Sequence, residues 1–401
     1  MKKTRILAGL TAALIVSCAA AGSLAAWEEQ TRNGKVVRRT WTDETGAAAE
    51  SPEGYAEVTR SYSGTTVTEK YFDADGHPAM APGGYYGQVL TYGNRHRLEE
   101  AVYLDADGKR MECAAGYARV RHVYMSAGGI TTSSYYNLEG DPVTVPSLGY
   151  SQIKNEYRGT TLTKTTYLDE NRNPVDTPLG YAVMIQSVNK SSRVTGIRFE
   201  HADGSPAAGP EGWAVMEREL DKKNREVSRK YYDLNGQLTD RGLGYAYEEI
   251  KWESGRECVV SRFDLQGQRV PMGAGYVSLR REMNRDDQVV RETCLDAAGS
   301  PVEDAEGVAS RIYEYDGEGR LARVLFEGAR GQRTENASGF GGYEETLDED
   351  GFVARRVYLS AGGQPVNTAG GYSEIRYTYD AAHQNVTAEY FDLSGAQVRQ
   401  E

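Results

Sequence analysis

The segment YFDADGHPAMAPGGYYG runs from Tyr71 to Gly87, and thirty-two residues after its start the chain writes YLDADGKRMECAAGYAR, Tyr103 to Arg119. A fixed period of this length limits the fold severely. Each copy is too small to bury an apolar face alone, so copies must stack on their neighbours. Two anchors mark the period. The first is an aromatic pair followed by an acidic turn and glycine, from WTDETG at Trp41 to YFDLSG at Tyr390. Twelve copies occur, including RFDLQG at Arg262, CLDAAG at Cys294 and a distorted LFEGARG at Leu325. The second is a glycine followed by an aromatic: Tyr55, Tyr85, Tyr117, Tyr150, Tyr181, Trp213, Tyr245, Tyr276, Tyr343 and Tyr372, with Val308 in that place once. Successive second anchors lie 30, 32, 33, 31, 32, 32, 31, 32, 35 and 29 residues apart.

Each repeat reads as two strands. After the second anchor, stretches such as YAEVTRSY alternate with period two, which sends neighbouring side chains to opposite faces. A short polar turn follows, then a second alternating stretch that ends at the aromatic pair. In the acidic turn the leading Asp can accept backbone N–H groups, and the closing Gly can take a positive φ. Pro78, Pro142, Pro174, Pro206, Pro301 and Pro365 follow the turn; having no N–H, they close strand pairing there. The 28 tyrosines and 45 glycines fit this scheme better than a large aliphatic core would. The expected fold is therefore all-β: about twelve tandem two-stranded repeats of about 32 residues, over 27–401, forming an elongated or spiral antiparallel sheet. About 24 strands at ~4.8 Å would span roughly 115 Å.

Residues 1–26 are read as an export signal. Lys2, Lys3 and Arg5 precede the apolar run Ile6–Val16 and a tail of small residues. LIVSC, Leu14 to Cys18, resembles a lipoprotein box, with the signal ending at residue 17 and Cys18 lipidated. Cleavage near Ala25 or Ala26 and an uncleaved anchor over Ile6–Ala26 stay open. The expected location is secreted or at the cell envelope, with membrane contact only through such an N-terminal anchor. Without the signal, 43 Lys and Arg face 58 Asp and Glu, a net charge of −15. That balance repels phosphate backbones and argues against nucleic acid.

Reaction chemistry is sparse. His77, His96, His122, His201 and His383 are scattered, mostly in or beside turns, and no metal, nucleophile or phosphate-loop motif occurs. No catalytic residue, metal or cofactor is expected. The pairs Asp73/Asp75, Asp105/Asp107 and Asp348/Asp350 echo the start of a calcium loop but lack its distal ligands. Cys113, Cys258 and Cys294 are far apart, and Cys294 replaces an aromatic, which suggests burial.

The aromatics admit two roles, cross-strand packing or a sugar-stacking stripe like that of choline- and glucan-binding repeats. Adjacent aromatics on a strand point to opposite faces, so one member of each doublet is expected to be exposed. That makes Tyr85, Tyr86, Tyr135, Tyr136, Tyr231 and Tyr232 the candidate ligand residues.

RIYEYDGEGRLARVLFEGARGQ, Arg311 to Gln332, resembles the tyrosine-aspartate repeat of the Rhs family, and RYTYDAAHQNVTAEYFDLSG, Arg376 to Gly395, is a weaker version. The resemblance implies a β-sheet shell, which in that family often encloses a C-terminal toxin. Here the sequence stops inside a repeat at Glu401, with no toxin region, so the resemblance implies the shell and not the cargo. The expected function is an exported, non-enzymatic repeat scaffold that binds a protein or surface ligand at the bacterial cell envelope. The alternative is a module that binds cell-wall glycan through exposed aromatics.

Overall fold

The computed structural model describes residues 26–43, 45–348, 351–379 and 386–399. Residues 1–25 of the expected signal, Cys18 among them, together with Asp350 and His383, lie outside the described residues, whereas Ala26 already opens the first strand. The described residues are all-β. Twenty-four strands of six to eight residues and three of two residues are antiparallel, and a single 3-10 turn spans Asn94–His96.

The chain divides into two compact units, the first running to Lys154 and including Tyr167–Asn173, the second comprising Asn155–Thr166 and Pro174–Glu401. In the first unit the strands are β1 (Ala26–Arg32), β2 (Lys35–Thr42), β3 (Glu57–Ser63), β4 (Thr66–Phe72), β5 (Gly87–Tyr92), β6 (Leu98–Leu104), β7 (Arg119–Tyr124) and β8 (Ile130–Tyr136). Each pairs with the next in sequence, and β8 continues onto Gln152–Lys154. The second unit repeats the same hairpin seven times, from Val183–Val188 with Val194–Glu200 to Glu374–Tyr379 with Val386–Phe391.

The acidic turns are built as their composition dictates. Asp73 Oδ1 accepts the backbone N–H of Asp75 at 3.0 Å and of His77 at 2.8 Å, and Gly76 closes the turn at φ 83°. These bonds hold the Asp73 carboxyl below its usual range, the His77 N–H foremost. Asp233, Asp264, Asp296 and Asp392 repeat the arrangement. Pro78, Pro142, Pro301 and Pro365 each form one isolated bridge to the strand end, after which the chain leaves the sheet. Pairing ends just past the acidic turn with or without proline, however. Ala48, Arg110, Leu238 and Arg333 make the same single bridge, and Pro206 opens a two-residue strand paired to Phe199–Glu200, so the missing N–H of proline is not what closes it.

The loop that follows has its own fixed bond. Its fifth residue before the closing aromatic or fourth, according to loop length, donates its N–H to that aromatic's carbonyl: Ser51 to Tyr55, Cys113 to Tyr117, Val145 to Tyr150 and Thr177 to Tyr181. In the tenth repeat the donor is Asn336 and the acceptor Phe340, at 2.9 Å. The second anchor there is Phe340, not Tyr343. The stretch GFGGY offers two Gly-aromatic pairs, and only Gly339, at φ 78°, matches the geometry of Gly54 at 81°. The first anchor of that repeat is likewise Phe326, not Leu325. Gly328 and Gly331 make the same turn bonds as Asp73 and Gly76, so the repeat is undistorted.

A second recurrent bond ties each such repeat to the one before. Tyr62 donates to the Val36 carbonyl at 2.8 Å, Tyr124 to Leu98 at 2.7 Å, Tyr315 to Val289 at 2.7 Å and Tyr379 to Val353 at 3.0 Å. Trp252 does the same through its indole N–H to Glu226 at 2.9 Å. Every donor sits 26 residues after its acceptor. Tyr315→Phe removes one such bond from the second unit and is expected to cost about 1 kcal/mol, measured as a fall in the urea midpoint.

Candidate functional site

The first-anchor and second-anchor rings meet on one face of the strands. In the first unit Trp41, Tyr55, Tyr71, Tyr85, Tyr103, Tyr117, Tyr135, Tyr150 and Tyr167 form an unbroken row, with centroids 4.6–6.1 Å apart. Edge and tilted contacts dominate, the arrangement that ring quadrupoles favour. Burial raises the Tyr71 and Tyr103 hydroxyl pKa values strongly and pushes Tyr117 up to about 12. In the second unit Tyr181, Phe199, Trp213 and Tyr231 continue the pattern at 4.5–5.3 Å, and so do Phe326, Phe340, Tyr358, Tyr372 and Tyr390 at 4.7–5.6 Å.

Three of the candidate ligand tyrosines are therefore packing residues. Tyr85 lies between Tyr71 and Tyr103, Tyr135 between Tyr117 and Tyr150, and Tyr231 between Trp213 and a guanidinium. Their neighbours Tyr86, Tyr136 and Tyr232 take the opposite face, as alternation requires. None of the six is fully exposed; all are half-buried. Tyr86 lines a small cavity with Phe72 and Leu104. The Arg119 guanidinium covers the Tyr136 ring at 4.1 Å. Burial, followed by a hydrogen bond to Glu217, raises the Tyr232 hydroxyl pKa. At Tyr136 the cover is a long side chain from the neighbouring strand, Arg119, which stands directly opposite it.

Sequence reasoning missed the charged break in the row between Tyr231 and Phe326. Arg241 occupies the loop position held elsewhere by Ser51, Ala81, Cys113, Val145 and Thr177. It takes φ 54°, gives up the usual loop bond, and donates its N–H to Thr239 Oγ1 instead. Its guanidinium then lies 3.6 Å over Tyr231 and 5.8 Å from Tyr245. Arg262 stands where other repeats carry a ring, 4.3 Å over Tyr245 and 3.0 Å from Glu248. Arg311 pairs with Asp304 at 2.8 Å beside Cys294, whose thiol burial pushes up to about 11. Cation–π contacts thus replace ring–ring contacts for part of the row. The signal was visible as three non-aromatic residues, Arg262, Cys294 and Val308, among the four anchors that follow Tyr245.

Beside the rings each unit carries directly opposed residue pairs of its hairpins. The first unit has Arg60–Glu69, Leu90–Ala101 and His122–Ser133. The second has Gln186–Ile197, Arg218–Arg229, Ile250–Val260, Arg281–Glu292, Tyr313–Val324 and Glu345–Arg356. Glu69 is fully engaged: Arg60 Nε donates at 2.7 Å, Gln88 Nε2 at 2.7 Å and the Tyr71 hydroxyl at 3.0 Å. His122 belongs to one of these pairs and not to a turn. It is half-buried on β7 with Nδ1 2.8 Å from Ser133 Oγ, and burial lowers its pKa. His77 and His96 are exposed turn residues, and His201 sits 2.8 Å from Asp176. The three cysteines are free and buried. Among the described residues no group of three His, Cys, Asp or Glu could hold a metal ion.

On the opposite face Glu374 is buried and bonded to Arg355 at 2.5 Å and Arg376 at 2.6 Å. These bonds, that of Arg355 first, pull its pKa down to about 2. A carboxyl lowered in the folded state stabilises above its ordinary value, and that contribution is lost as pH falls from about 4.5 toward 2. Both arginines are half exposed, so the expected loss is about 1–2 kcal/mol. Acid titration of stability should show this slope in the wild type and a flatter one in Glu374→Gln.

No family model and no curated protein matches the chain. Among solved structures it is similar to the Photorhabdus luminescens Tc holotoxin pore, at 11% identity and a TM-score of 0.26, over 93% of this chain and 22% of that one. It is similar to a TcdB2–TccC3 structure at 12% identity and a TM-score of 0.19, over 90% and 24%. A porin-like protein from Bacteroides uniformis is similar at 7% identity and a TM-score of 0.20, over 82% and 92%. The chain thus spans less than a quarter of the two toxin structures it matches. With TM-scores this low, the resemblance to Rhs repeats rests on the sequence of Arg311–Gln332 and, more weakly, of Arg376–Gly395.

Proposed function

We propose that the chain is an exported, non-enzymatic repeat scaffold that binds a protein or surface ligand at the bacterial cell envelope. The observation that carries this reading is the contrast between the rings and the opposed pairs. Apart from the charged break between Tyr231 and Phe326, the ring row and the turn bonds recur with little change, whereas the opposed pairs beside them change chemistry from one hairpin to the next, from Arg60–Glu69 to Leu90–Ala101 to His122–Ser133. A constant frame with varied pairs suits recognition spread over several repeats, whereas a reaction centre would concentrate its groups in one place. The second reading is a glycan-binding module. It draws support from Tyr136 beneath Arg119, a ring with a cation at hand. A pull-down on purified cell wall, with and without free sugars, separates the two. Retention that simple sugars do not displace supports the protein or surface-ligand reading, and retention abolished by one sugar supports the module.

Export and anchoring belong to the same proposal. Cells grown with labelled palmitate are expected to label the wild-type chain and not Cys18→Ala. A wild-type chain without label and beginning at Trp27 would rule out lipidation.

A further inference from the structure

The opposed pairs contain one electrostatic exception. Arg60–Glu69, Arg281–Glu292 and Glu345–Arg356 set opposite charges face to face, but Arg218 stands directly opposite Arg229. Like charges in that position are destabilising unless something else neutralises them. Among the described residues the acid that bridges them is Glu226, whose Oε2 lies 3.0 Å from Arg218 Nε and 2.9 Å from Arg229 Nη2, while Glu248, opposite Arg229 on the next strand, is held by Arg262 at 3.0 Å. Two guanidinium groups therefore share one carboxylate oxygen. The Nε atoms of both arginines are buried and make no well-aligned hydrogen bond.

Next to this pair is a cavity of about 300 Å³ in the second unit, walled by Arg193, Val194, Arg218, Leu220, Asn224 and Glu226. Arg193 is exposed and, among the described residues, forms no ion pair; Lys222 and Lys223, on the turn between Leu220 and Asn224, form none there either. Asp221 in that turn is already held by Arg225 at 2.7 Å. Glu217 and Glu219 alternate with Arg218 along the strand and so take the other face. In a chain of net charge −12, this cavity has an excess of positive charge.

We propose that the cavity binds a phosphate group, free or carried on a small sugar, with Arg218 and Arg193 as its ligands. A guanidinium fork matches two phosphate oxygens at once, and an anion here would neutralise the charge that Glu226 leaves over. The volume exceeds that of one phosphate, and Val194 and Leu220 offer an apolar wall for what is attached.

Calorimetry on the full chain with inorganic phosphate and with glucose 6-phosphate tests this. Saturable binding at one site is expected, weakened at least tenfold by Arg193→Gln and lost in the Arg193→Gln/Arg218→Gln double variant. Arg285→Gln, on another exposed turn, should bind as the wild type does. Equal affinity for both probes means that the phosphate alone is read; tighter sugar phosphate means that the apolar wall contributes. Arg193→Gln changes an exposed side chain and should leave the melting temperature unchanged, which separates lost binding from lost folding. No saturable binding at millimolar concentration, or binding unaffected by Arg193→Gln, overturns the proposal.

Discussion

Phe199→Ala is expected to destabilise the second unit by about 3–5 kcal/mol, the usual cost of removing a buried phenyl ring. Phe199 is 6% exposed and sits between Tyr181 at 4.5 Å and Trp213 at 5.0 Å. Its ring also fills the space beside Gly209, where an added Cβ would come within 2.8 Å of Phe199 Cζ. Removing the ring therefore opens a hole bordered by two other rings and a glycine, none of which can move in to close it. Phe199→Leu keeps most of the volume but loses two ring pairs worth ~0.5–1.5 kcal/mol each, so its cost should be about 1–3 kcal/mol. Urea denaturation of the three proteins gives both numbers. Equal stability of Phe199→Ala and wild type would mean that the rings do not hold the repeats together.

Gly342→Val is the second large effect. Gly342 has φ 154°, and a Cβ there would overlap the Val324 carbonyl oxygen and lie 3.0 Å from Leu325 Cα. Both obstacles are backbone or close to it, so no side-chain rotation relieves them. Gly87, two residues after Tyr85 as Gly342 is after Phe340, meets the Glu69 carbonyl oxygen at 2.7 Å in the same way. Backbone strain of ~1–3 kcal/mol and overpacking of similar size together predict a loss of about 3 kcal/mol or more. Gly351→Ala is the control, since its Cβ would meet nothing within 4 Å and only the positive φ is strained. It should cost about 1 kcal/mol. A Gly342→Val protein as stable as that control would contradict the close approach.

Much of this was legible in the sequence. The turn chemistry is local: an Asp that caps two N–H groups and a Gly at positive φ need only neighbouring residues, so DADG reads correctly wherever it stands. The two-strand repeat followed from period-two alternation, and Cys294, at 2% exposure, is buried as its place in the period implied. Three features were not legible. Which glycine of GFGGY takes the loop turn, Gly339 at φ 78°, depends on the Asn336–Phe340 bond, which no local pattern reveals. The fate of the tyrosine doublets depends on what lies across each face, such as Arg119 over Tyr136, and that is set by strand register. The opposition of Arg218 and Arg229 is a register fact too; eleven residues apart in sequence, they read as two unrelated charges.

The central claim is that the fold is a nearest-neighbour stack held by the ring row. Peptide-level hydrogen exchange on Phe199→Ala and wild type, under native conditions, tests it most directly. Protection should fall in Val183–Val188, Val194–Glu200, Val215–Leu220 and Glu226–Tyr232, the strands that border the missing ring. Ser310–Tyr315 and Leu321–Glu327, beyond the charged break in the row, should exchange as in the wild type. Equal loss of protection in all these strands would show that they unfold as one cooperative block, and would contradict the account.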